Sequence, residues 1–304
     1  MSRVWKAHLL LVLITFIWGT TFVVIKRALT DISPLLFNAL RMTLASACLA
    51  AFYWRELRGM KPPTIKAGTI LGVLLWLGYE FQTTGLRLTS PSKSAFITGM
   101  SVVLVPVFLV LFWKRKVNRW TTLGVISAFV GLTLMTVPSG GAEWVDWAAV
   151  NRGDLLTLGC ALAFGFHIIF LGQSSREFRF KQIAVLQTAS AAVLMLATVP
   201  LMETVRVAWT EQLVIALVVT AVLCTAVAFT VQAWAQQFTP PTHTALIFSL
   251  EPVFAWVTSF VILGERLGLR VGAGAALILA GIMLSELRGS AAEPAAPGEM
   301  PVAG

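Results

Sequence analysis

Residues 239–286 read TPPTHTALIFSLEPVFAWVTSFVILGERLGLRVGAGAALILAGIMLSE. Two long apolar segments meet at one short polar joint, which runs from Gly264 to Arg266. An acidic residue, Glu251, lies inside the first segment and is followed by Pro252. A weaker copy of the whole stretch occurs earlier in the chain, at residues 89–135. The repetition indicates that the chain consists of two related halves.

The composition around this stretch is typical of a membrane protein. Of the 304 residues, 57% are hydrophobic and 12% are charged, and the mean hydropathy is +0.82, whereas soluble domains carry about 25% charged residues. A membrane-spanning helix needs roughly 20 mainly apolar residues, and such runs recur along most of the chain. The runs are continuous, unlike the short alternating segments of membrane β-barrels. We therefore predict an all-α integral membrane protein that has the lipid bilayer as its partner.

The apolar runs predict ten transmembrane helices. The first run does not resemble a cleaved signal peptide, because Lys26 and Arg27 follow it in place of a small-residue cleavage site. Residues 288–304 are rich in Ala, Pro and Gly, and we predict that they form a disordered tail. The predicted spans are residues 8–25, 34–54, 65–86, 94–113, 120–137, 154–171, 183–201, 213–234, 242–263 and 269–287.

The net charge of +9 needs no nucleic-acid partner. Such a charge would suggest nucleic acid in a soluble protein, but here Lys and Arg cluster in short loops between apolar spans. Cytoplasmic loops of membrane proteins carry an excess of Lys and Arg. In this chain, more Lys and Arg residues lie in the loops on the same side of the membrane as both termini. We therefore predict an inner-membrane protein with cytoplasmic N- and C-termini. The cysteines lie within apolar spans, which argues against a disulfide framework or a metal site: Cys48, Cys160 and Cys224.

The two halves align when the first is shifted by 150 positions, or by 146 near the start of each half. The shift of 146 pairs Gly19 with Gly165, and Leu40-Arg41 with Leu186-Gln187. Chance identity among apolar residues is the alternative explanation, although matched Gly, Pro and Gln are harder to attribute to chance than matched Val. The pairs at a shift of 150 include Gln82 and Gln232, Pro91 and Pro241, Gly124 and Gly274, and Gly131 and Gly281.

Each half contains five predicted spans, so the second half enters the membrane with the opposite orientation. We therefore predict two inverted five-helix repeats, at residues 8–137 and 154–287. In secondary transporters, inverted repeats place the substrate site between the halves, near the bilayer midplane. Rocking of one half against the other then gives alternating access.

Several short motifs follow one another along these spans. They are Trp18-Gly19-Thr20-Thr21-Phe22 with Lys26, then Leu40-Arg41, Leu250-Glu251-Pro252-Val253, Leu263-Gly264-Glu265-Arg266-Leu267, and Gly274 through Gly281. In this order, over residues 8–287, they resemble the EamA family of the drug/metabolite transporter superfamily. The resemblance implies ten helices in two inverted repeats and the export of small metabolites, often amino acids. One departure is Phe164, which stands where the family often has Trp and leaves the shape of the substrate pocket open.

Polar side chains within the predicted spans are candidates for function, because a charge in hydrocarbon costs about 3 kcal/mol. Glu80 is a candidate for proton coupling or for recognition of a substrate amino group, and Glu251 is a candidate for a gate or a substrate contact. The alternatives are that Glu80 extends to the membrane interface and that Glu251 bonds a neighbouring helix. His167 could relay protons or could be a hydrogen-bonded packing residue. We expect Arg41 to be structural, paired with a carboxylate or with loop carbonyls, and Pro252 to kink the ninth span.

Aromatic residues near these positions predict the walls of a pocket for apolar or aromatic metabolites. Trp18 and Phe22 lie one turn apart on the first span, and Phe164 occupies the matching place in the second half. The alternative is ordinary aromatic packing or an interfacial belt. The full set of predicted substrate-binding residues is Trp18, Phe22, Tyr79, Glu80, Thr83, Phe164, His167, Phe248 and Glu251.

Missing motifs limit the chemistry that the chain can perform. It has no Gly-x-x-x-x-Gly-Lys-Ser/Thr loop, so we expect neither ATP nor another cofactor. It has no His-Glu-x-x-His or Gly-x-Ser-x-Gly motif, so we do not expect an enzyme. We predict a secondary transporter that exports small metabolites, amino acids or related compounds, driven by the proton gradient or by the substrate's own gradient. The alternatives are an intramembrane enzyme that uses Glu80, Glu251 and His167, and a non-transporting scaffold or sensor.

Overall fold

The computed structural model describes residues 2–86, 88, 97–136, 151–263 and 268–289. The first helix begins where the Ser2 side chain accepts a hydrogen bond from the backbone N–H of Trp5. The second and third begin at Pro34 and Pro62, because a proline in the first turn gives up only an N–H that has no helical partner. The helices of the first half are α1 (Arg3–Ala28), α2 (Pro34–Phe52), α3 (Pro62–Leu86), α4 (Ser101–Leu111) and α5 (Arg119–Thr136).

The second half begins with a capping box. The side chains of Asn151 and Asp154 each accept a hydrogen bond from the other residue's backbone N–H, which satisfies two donors at the start of the sixth helix. The helices are α6 (Arg152–Glu177), α7 (Phe180–Met202), α8 (Glu211–Ala235), α9 (Pro241–Phe248), α10 (Glu251–Leu263) and α11 (Leu269–Leu284). A π-helical segment, Val222–Val227, lies inside α8, and a second, Ser285–Gly289, continues α11.

The described residues are helical as predicted, and they contain no β-strand. Five helices are long and apolar enough to cross a membrane, namely α1, α2, α6, α7 and α8, while α4, α5 and α11 are shorter apolar helices. The structure is therefore that of an all-helical, multi-pass membrane protein. The loop predicted between the halves at Gly140 and Trp144, the polar joint at 264–267 and residues 290–304 of the predicted tail lie outside the described residues.

The ninth predicted span, residues 242–263, is two helices and not one kinked helix. Helix α9 ends at Phe248, a turn follows at Ser249 and Leu250, and α10 begins at Glu251. The break follows from the position of Pro252. Inside a continuous helix, Pro252 would leave the carbonyl of Phe248 without its partner. In the first turn of α10, the same residue costs no hydrogen bond.

Helices α5 and α11 pack in antiparallel orientation through glycines. A Cβ atom built on Gly124 would lie 2.5 Å from the carbonyl oxygen of Gly281, and one on Gly274 would lie 2.5 Å from that of Gly131. Between these two contacts, the Ser127 hydroxyl donates a hydrogen bond of 2.8 Å to the carbonyl of Leu277. Small residues let helix backbones approach this closely in a membrane. Any larger side chain at these positions would separate the two helices.

Two further glycines bring helices from different halves together. A Cβ on Gly19 of α1 would lie 2.8 Å from the Phe254 Cβ and 2.8 Å from the Glu251 carbonyl oxygen, both on α10. A Cβ on Gly165 of α6 would lie 3.0 Å from the Phe108 ring and 3.7 Å from the Leu104 Cβ, both on α4. Helix α3 packs in turn against α6 and α7. The interior of the molecule is thus formed by helices of both halves.

The outward faces of the helices are apolar. Exposed large side chains occur along the long helices, where a soluble protein would carry charge. Lipid chains are the solvent that such a surface requires. The exposed residues include Phe16, Leu44, Leu162, Val193, Leu196, Ile215, Val218, Leu279 and Met283.

Candidate functional site

Arg41 is buried near the middle of α2, with 5% of its surface exposed. Its Nε donates a hydrogen bond of 3.0 Å to the Thr225 hydroxyl, and its Nη2 donates one of 2.6 Å to the Tyr79 hydroxyl. The guanidinium also lies 4.8 Å from the centre of the Tyr79 ring. The expected pairing of Arg41 with a carboxylate or with loop carbonyls is therefore wrong. Packing of α2 against α3 and α8 presents two hydroxyl groups to the guanidinium instead.

The π segment of α8 supplies the groups that face Arg41 and α1. The Thr225 hydroxyl donates a hydrogen bond of 2.9 Å to the carbonyl of Thr220, five residues earlier. The carbonyl of the neighbouring Cys224 accepts a hydrogen bond of 2.8 Å from the Trp18 indole. A π segment shifts the backbone hydrogen bonds from four to five residues apart, and such segments are frequent at functional sites. Here the shift coincides with a carbonyl that bonds a side chain of another helix.

Aromatic rings connect this polar cluster to helices α6 and α9. The Trp18 ring lies 5.1 Å from that of Phe248 and 6.1 Å from that of Phe229, measured between ring centres. Phe229 lies 5.9 Å from the His167 ring. Tyr79 meets Phe164 edge to face at 5.7 Å. Five of the predicted site residues therefore belong to one connected cluster: Trp18, Tyr79, Phe164, His167 and Phe248.

His167 is fully enclosed in this cluster and bonds a residue of α7. Its Nε2 lies 2.9 Å from the Gln187 Oε1. The Gln187 Nε2 is buried and has no hydrogen-bond partner among the described residues. The bond fixes the orientation of the imidazole, so His167 has the hydrogen-bonded environment expected for a packing residue as well as contact with the aromatic cluster.

Among the described residues, Glu251 interacts with side chains of the cluster electrostatically and not through a hydrogen bond. It is half-buried at the first turn of α10, where the helix dipole favours a negative charge. Its carboxylate interacts electrostatically with Tyr79, Cys160 and Cys224. Within the described residues, no hydrogen bond is formed by the Glu251 side chain. The carboxylate thus acts on the cluster without a hydrogen-bond partner among the described residues.

Glu80 and Thr83 lie on other sides of α3. The Glu80 Oε1 accepts a hydrogen bond of 3.3 Å from the Thr198 hydroxyl of α7, and its Oε2 is buried without a partner among the described residues. Thr83 accepts a hydrogen bond of 2.7 Å from the Asn38 side chain. The structure therefore does not bring these two residues into the aromatic cluster. Phe22 belongs to α1, but its side chain lies outside the described part of the structure.

Two members of the cluster were missed by the analysis of the sequence. Phe229 looks like any other apolar residue of its span, and Thr225 is one of several threonines in apolar surroundings. The partners of Thr225 lie far away along the chain, since 184 positions separate it from Arg41. No local pattern could have identified either residue.

In the described structure, helices of the two halves pack together around a polar and aromatic cluster. The sequence model of the EamA-like transporter family matches residues 5–137 and again residues 151–287. The chain belongs to this family.

Named relatives agree with this assignment. An uncharacterised transporter of Archaeoglobus fulgidus is 36% identical over 282 residues, which cover 93% of this chain and 86% of the relative. The uncharacterised transporter YoaV of Bacillus subtilis is 27% identical over 92% of this chain and 96% of its own length. The S-adenosylmethionine/S-adenosylhomocysteine transporter of Chlamydia trachomatis is 28% identical over 54% of this chain and 52% of its own length.

The fold also matches a solved crystal structure. The TM-score is 0.78, and the match covers 95% of this chain and 99% of the other at 15% sequence identity. This similarity concerns the fold alone. The family match makes the protein a multi-pass membrane protein of a transporter family, with a lipid bilayer around it and a small molecule as its substrate.

Proposed function

We propose that the protein exports small metabolites, amino acids or related compounds, across the inner membrane by alternating access. The observation that carries this proposal is the cluster at which the two family-matched segments meet. Trp18, Arg41 and Tyr79 come from the first segment, and Thr225 and Phe248 come from the second. A substrate bound there would contact both segments, so movement of one against the other would change its access to either side.

Reciprocal contacts support two inverted repeats at residues 8–137 and 154–287. Gly124 contacts Gly281, and Gly131 contacts Gly274. The shift of 150 makes Gly274 the equivalent of Gly124 and Gly281 the equivalent of Gly131. If each residue is replaced by its equivalent in the other half, the Gly124–Gly281 contact becomes the Gly274–Gly131 contact. Two units related by a twofold axis are expected to show this reciprocity.

A second pair of contacts obeys the same rule. Gly19 contacts Phe254, and Gly165 contacts Leu104. Gly165 is the equivalent of Gly19 at a shift of 146, and Phe254 is the equivalent of Leu104 at a shift of 150. Two independent helix pairs therefore support the same symmetry. One axis would run between α5 and α11 and relate the two halves.

The residues of the proposed pocket suit a compound with a polar head and an apolar or aromatic part. Trp18, Tyr79, Phe164 and Phe248 are only half-buried although they lie between helices, so each keeps surface for a ligand. Glu251 adds a carboxyl group. The name of the Chlamydia trachomatis relative supports the same chemistry, because both of its named solutes carry an amino-acid group.

Measurement of flux in proteoliposomes tests the proposal. The purified protein is reconstituted, and the uptake of radiolabelled amino acids and S-adenosylmethionine is followed with and without a pH gradient. We expect at least one solute to move faster than through protein-free vesicles. We also expect Phe248→Ala to slow that flux, whereas Phe52→Ala, at a residue that is 80% exposed at the end of α2, should not. If no solute moves faster than through empty vesicles, the proposal is wrong.

A further inference from the structure

We propose that Arg41 is the residue that binds the carboxylate of the transported solute. This inference rests on the proposed transport function and names the chemical group that the pocket recognises. A guanidinium has five N–H donors, and Arg41 uses only two groups, Nε and Nη2, in hydrogen bonds. Among the described residues, Nη1 has no hydrogen-bond partner. The donors that remain are those that a carboxylate would occupy.

Arg41 has no ion-pair partner among the described residues. Within the described residues, no carboxylate oxygen lies within 4.0 Å of its guanidinium. The hydroxyls of Thr225 and Tyr79 orient the group but carry no charge. A buried charge inside a membrane is retained only at a cost, and Arg41, which forms no ion pair in the described structure, can accept a counter-charge. An anionic solute would supply it.

The guanidinium is held rigidly for this role. Thr225 anchors one edge, and the Thr225 hydroxyl is itself bonded to the Thr220 carbonyl. Tyr79 anchors Nη2, and its ring packs against the guanidinium. A planar fork fixed in this way binds a carboxylate through two parallel hydrogen bonds. Little conformational entropy is then lost when the solute binds.

The surroundings favour a carboxylate in a dipolar solute over a phosphate. Gln187, which is uncharged, is the equivalent of Arg41 in the second half, so the repeat does not supply a second positive charge for a dianion. Glu251 and Arg41 each interact electrostatically with Tyr79 and Cys224. Glu251 and Arg41 therefore act on the same two side chains without forming an ion pair in the described structure. A zwitterion could place its carboxylate at Arg41 and its ammonium group towards Glu251.

The competing explanation is that Arg41 only ties α2 to α3 and α8. A test must therefore measure selectivity and not activity alone. Phenylalanine, leucine and methionine are each compared with their amides, which keep the side chain and the ammonium group but lack the carboxylate. Flux is measured in proteoliposomes at zero membrane potential, so that the net charge of the amides does not drive transport.

We expect the unmodified protein to transport the acids roughly tenfold to a hundredfold better than the amides, since hydrogen bonds to charged groups contribute this much. Arg41→Gln should bring the ratio of acid to amide close to one. Arg41→Lys keeps the positive charge but lacks the planar guanidinium, so it should retain a reduced preference for the acids over the amides. Arg58→Gln, the same change at an exposed loop arginine, should leave the ratio unchanged.

The possible results distinguish the proposed role of Arg41 from the proposed transport function. If acids and amides move equally well through the unmodified protein, Arg41 does not bind the carboxylate, but the transport proposal is retained. This comparison does not depend on the folding of any variant. If Arg41→Gln slows both compounds by the same factor, the arginine is structural and the inference is overturned. If none of the compounds moves, the transport proposal itself fails.

Discussion

At the scale of single residues, the two carboxylates of the predicted site occupy different surroundings. Glu251 lies at the start of α10 and interacts with side chains of the central cluster. Glu80 is 5% exposed and faces α7, where Thr198 bonds one of its oxygens. Adjacent residues on a helix point about 100° apart, so Tyr79 faces the cluster while Glu80 faces away from it. The two glutamates should therefore contribute differently to transport.

We predict that Glu251→Gln changes the pH dependence of flux and that Glu80→Gln does not. A glutamine cannot take up or release a proton, so any coupling through the replaced carboxylate is lost. Of these two glutamates, Glu251 is the one at the cluster where we propose that the solute binds. The measurement is the initial rate of flux against external pH in proteoliposomes. An unchanged pH profile in Glu251→Gln would remove proton coupling through this residue and leave transport intact.

The polarity of a residue in an apolar span was a useful guide to the central cluster. His167 and Glu251 stand out in the sequence because each interrupts a long apolar run, and both lie at the cluster. Arg41 stands out equally, but the sequence cannot show that its partners are hydroxyl groups. Its partners come from α3 and α8, and only packing brings those helices to α2.

At the scale of helices, two irregular segments lie beside the cluster. The π segment of α8 presents the Cys224 carbonyl and the Thr225 hydroxyl, and the turn between α9 and α10 places Glu251 at a helix N-terminus. Irregular backbone inside a membrane is tolerated where it is enclosed by protein or lines a cavity. Both irregularities therefore mark the region where a substrate pocket is expected.

We predict that Gly274→Ala destabilises the protein and that Gly272→Ala does not. A Cβ on Gly274 would lie 2.5 Å from the Gly131 carbonyl oxygen and 2.7 Å from the Met135 Cγ, whereas one on Gly272 meets nothing within 4 Å in the described structure. In a helix, alanine is also more favourable than glycine by about 1 kcal/mol. This difference should slightly stabilise the Gly272 variant. Thermal unfolding in detergent measures both. Equal melting temperatures would show that the α5–α11 contact adjusts without cost.

At the scale of the whole molecule, the halves are tied together at both ends of α2. At its start, Glu203 accepts hydrogen bonds of 2.9 and 3.3 Å from the backbone N–H groups of Leu35 and Leu36. Beyond its end, Glu56 forms ion pairs of 3.2 Å with Arg179 and 2.9 Å with Lys181. Opposite ends of a spanning helix lie on opposite sides of the membrane. Alternating access would require at least one of these ties to loosen in each cycle.

The Glu56 tie predicts a pH-dependent contribution to stability. The hydrogen bond and charge of Lys181, followed by those of Arg179, hold the pKa of Glu56 below its ordinary value of 4.5. A carboxyl group with a lowered pKa stabilises the folded state above its ordinary pKa, and this contribution is lost as the pH falls through the lowered value. Glu56→Gln should therefore reduce the melting temperature slightly at neutral pH, and the difference should vanish in acid.

Glu177→Gln is the matched control, because Glu177 is exposed at the end of α6. It should leave the melting temperature unchanged at every pH. A Glu56 variant that behaves like this control, or one whose difference persists well below pH 4.5, would contradict the assigned ion pairs. High salt should weaken the effect as well, since exposed pairs are screened.

We predict that both termini face the cytoplasm. The basic loop after α2 and the basic residues before α7 then lie on the same side as the N-terminus, as the distribution of Lys and Arg favours. A reporter that is active only in the cytoplasm should work when fused to the C-terminus, and one that is active only in the periplasm should not. The reverse pattern would overturn the predicted orientation.

By itself, the sequence determined that the chain is a helical membrane protein with two related halves and a family signature. These properties follow from hydrophobicity, spacing and short motifs, which are local along the chain. Only the tertiary structure decided that Arg41 bonds Tyr79 and Thr225, that Glu80 lies apart from the cluster, and that the ninth span breaks at Ser249 and Leu250. These outcomes depend on which helix faces meet, and the partners lie up to 184 positions apart. Local sequence patterns carry no information about such encounters.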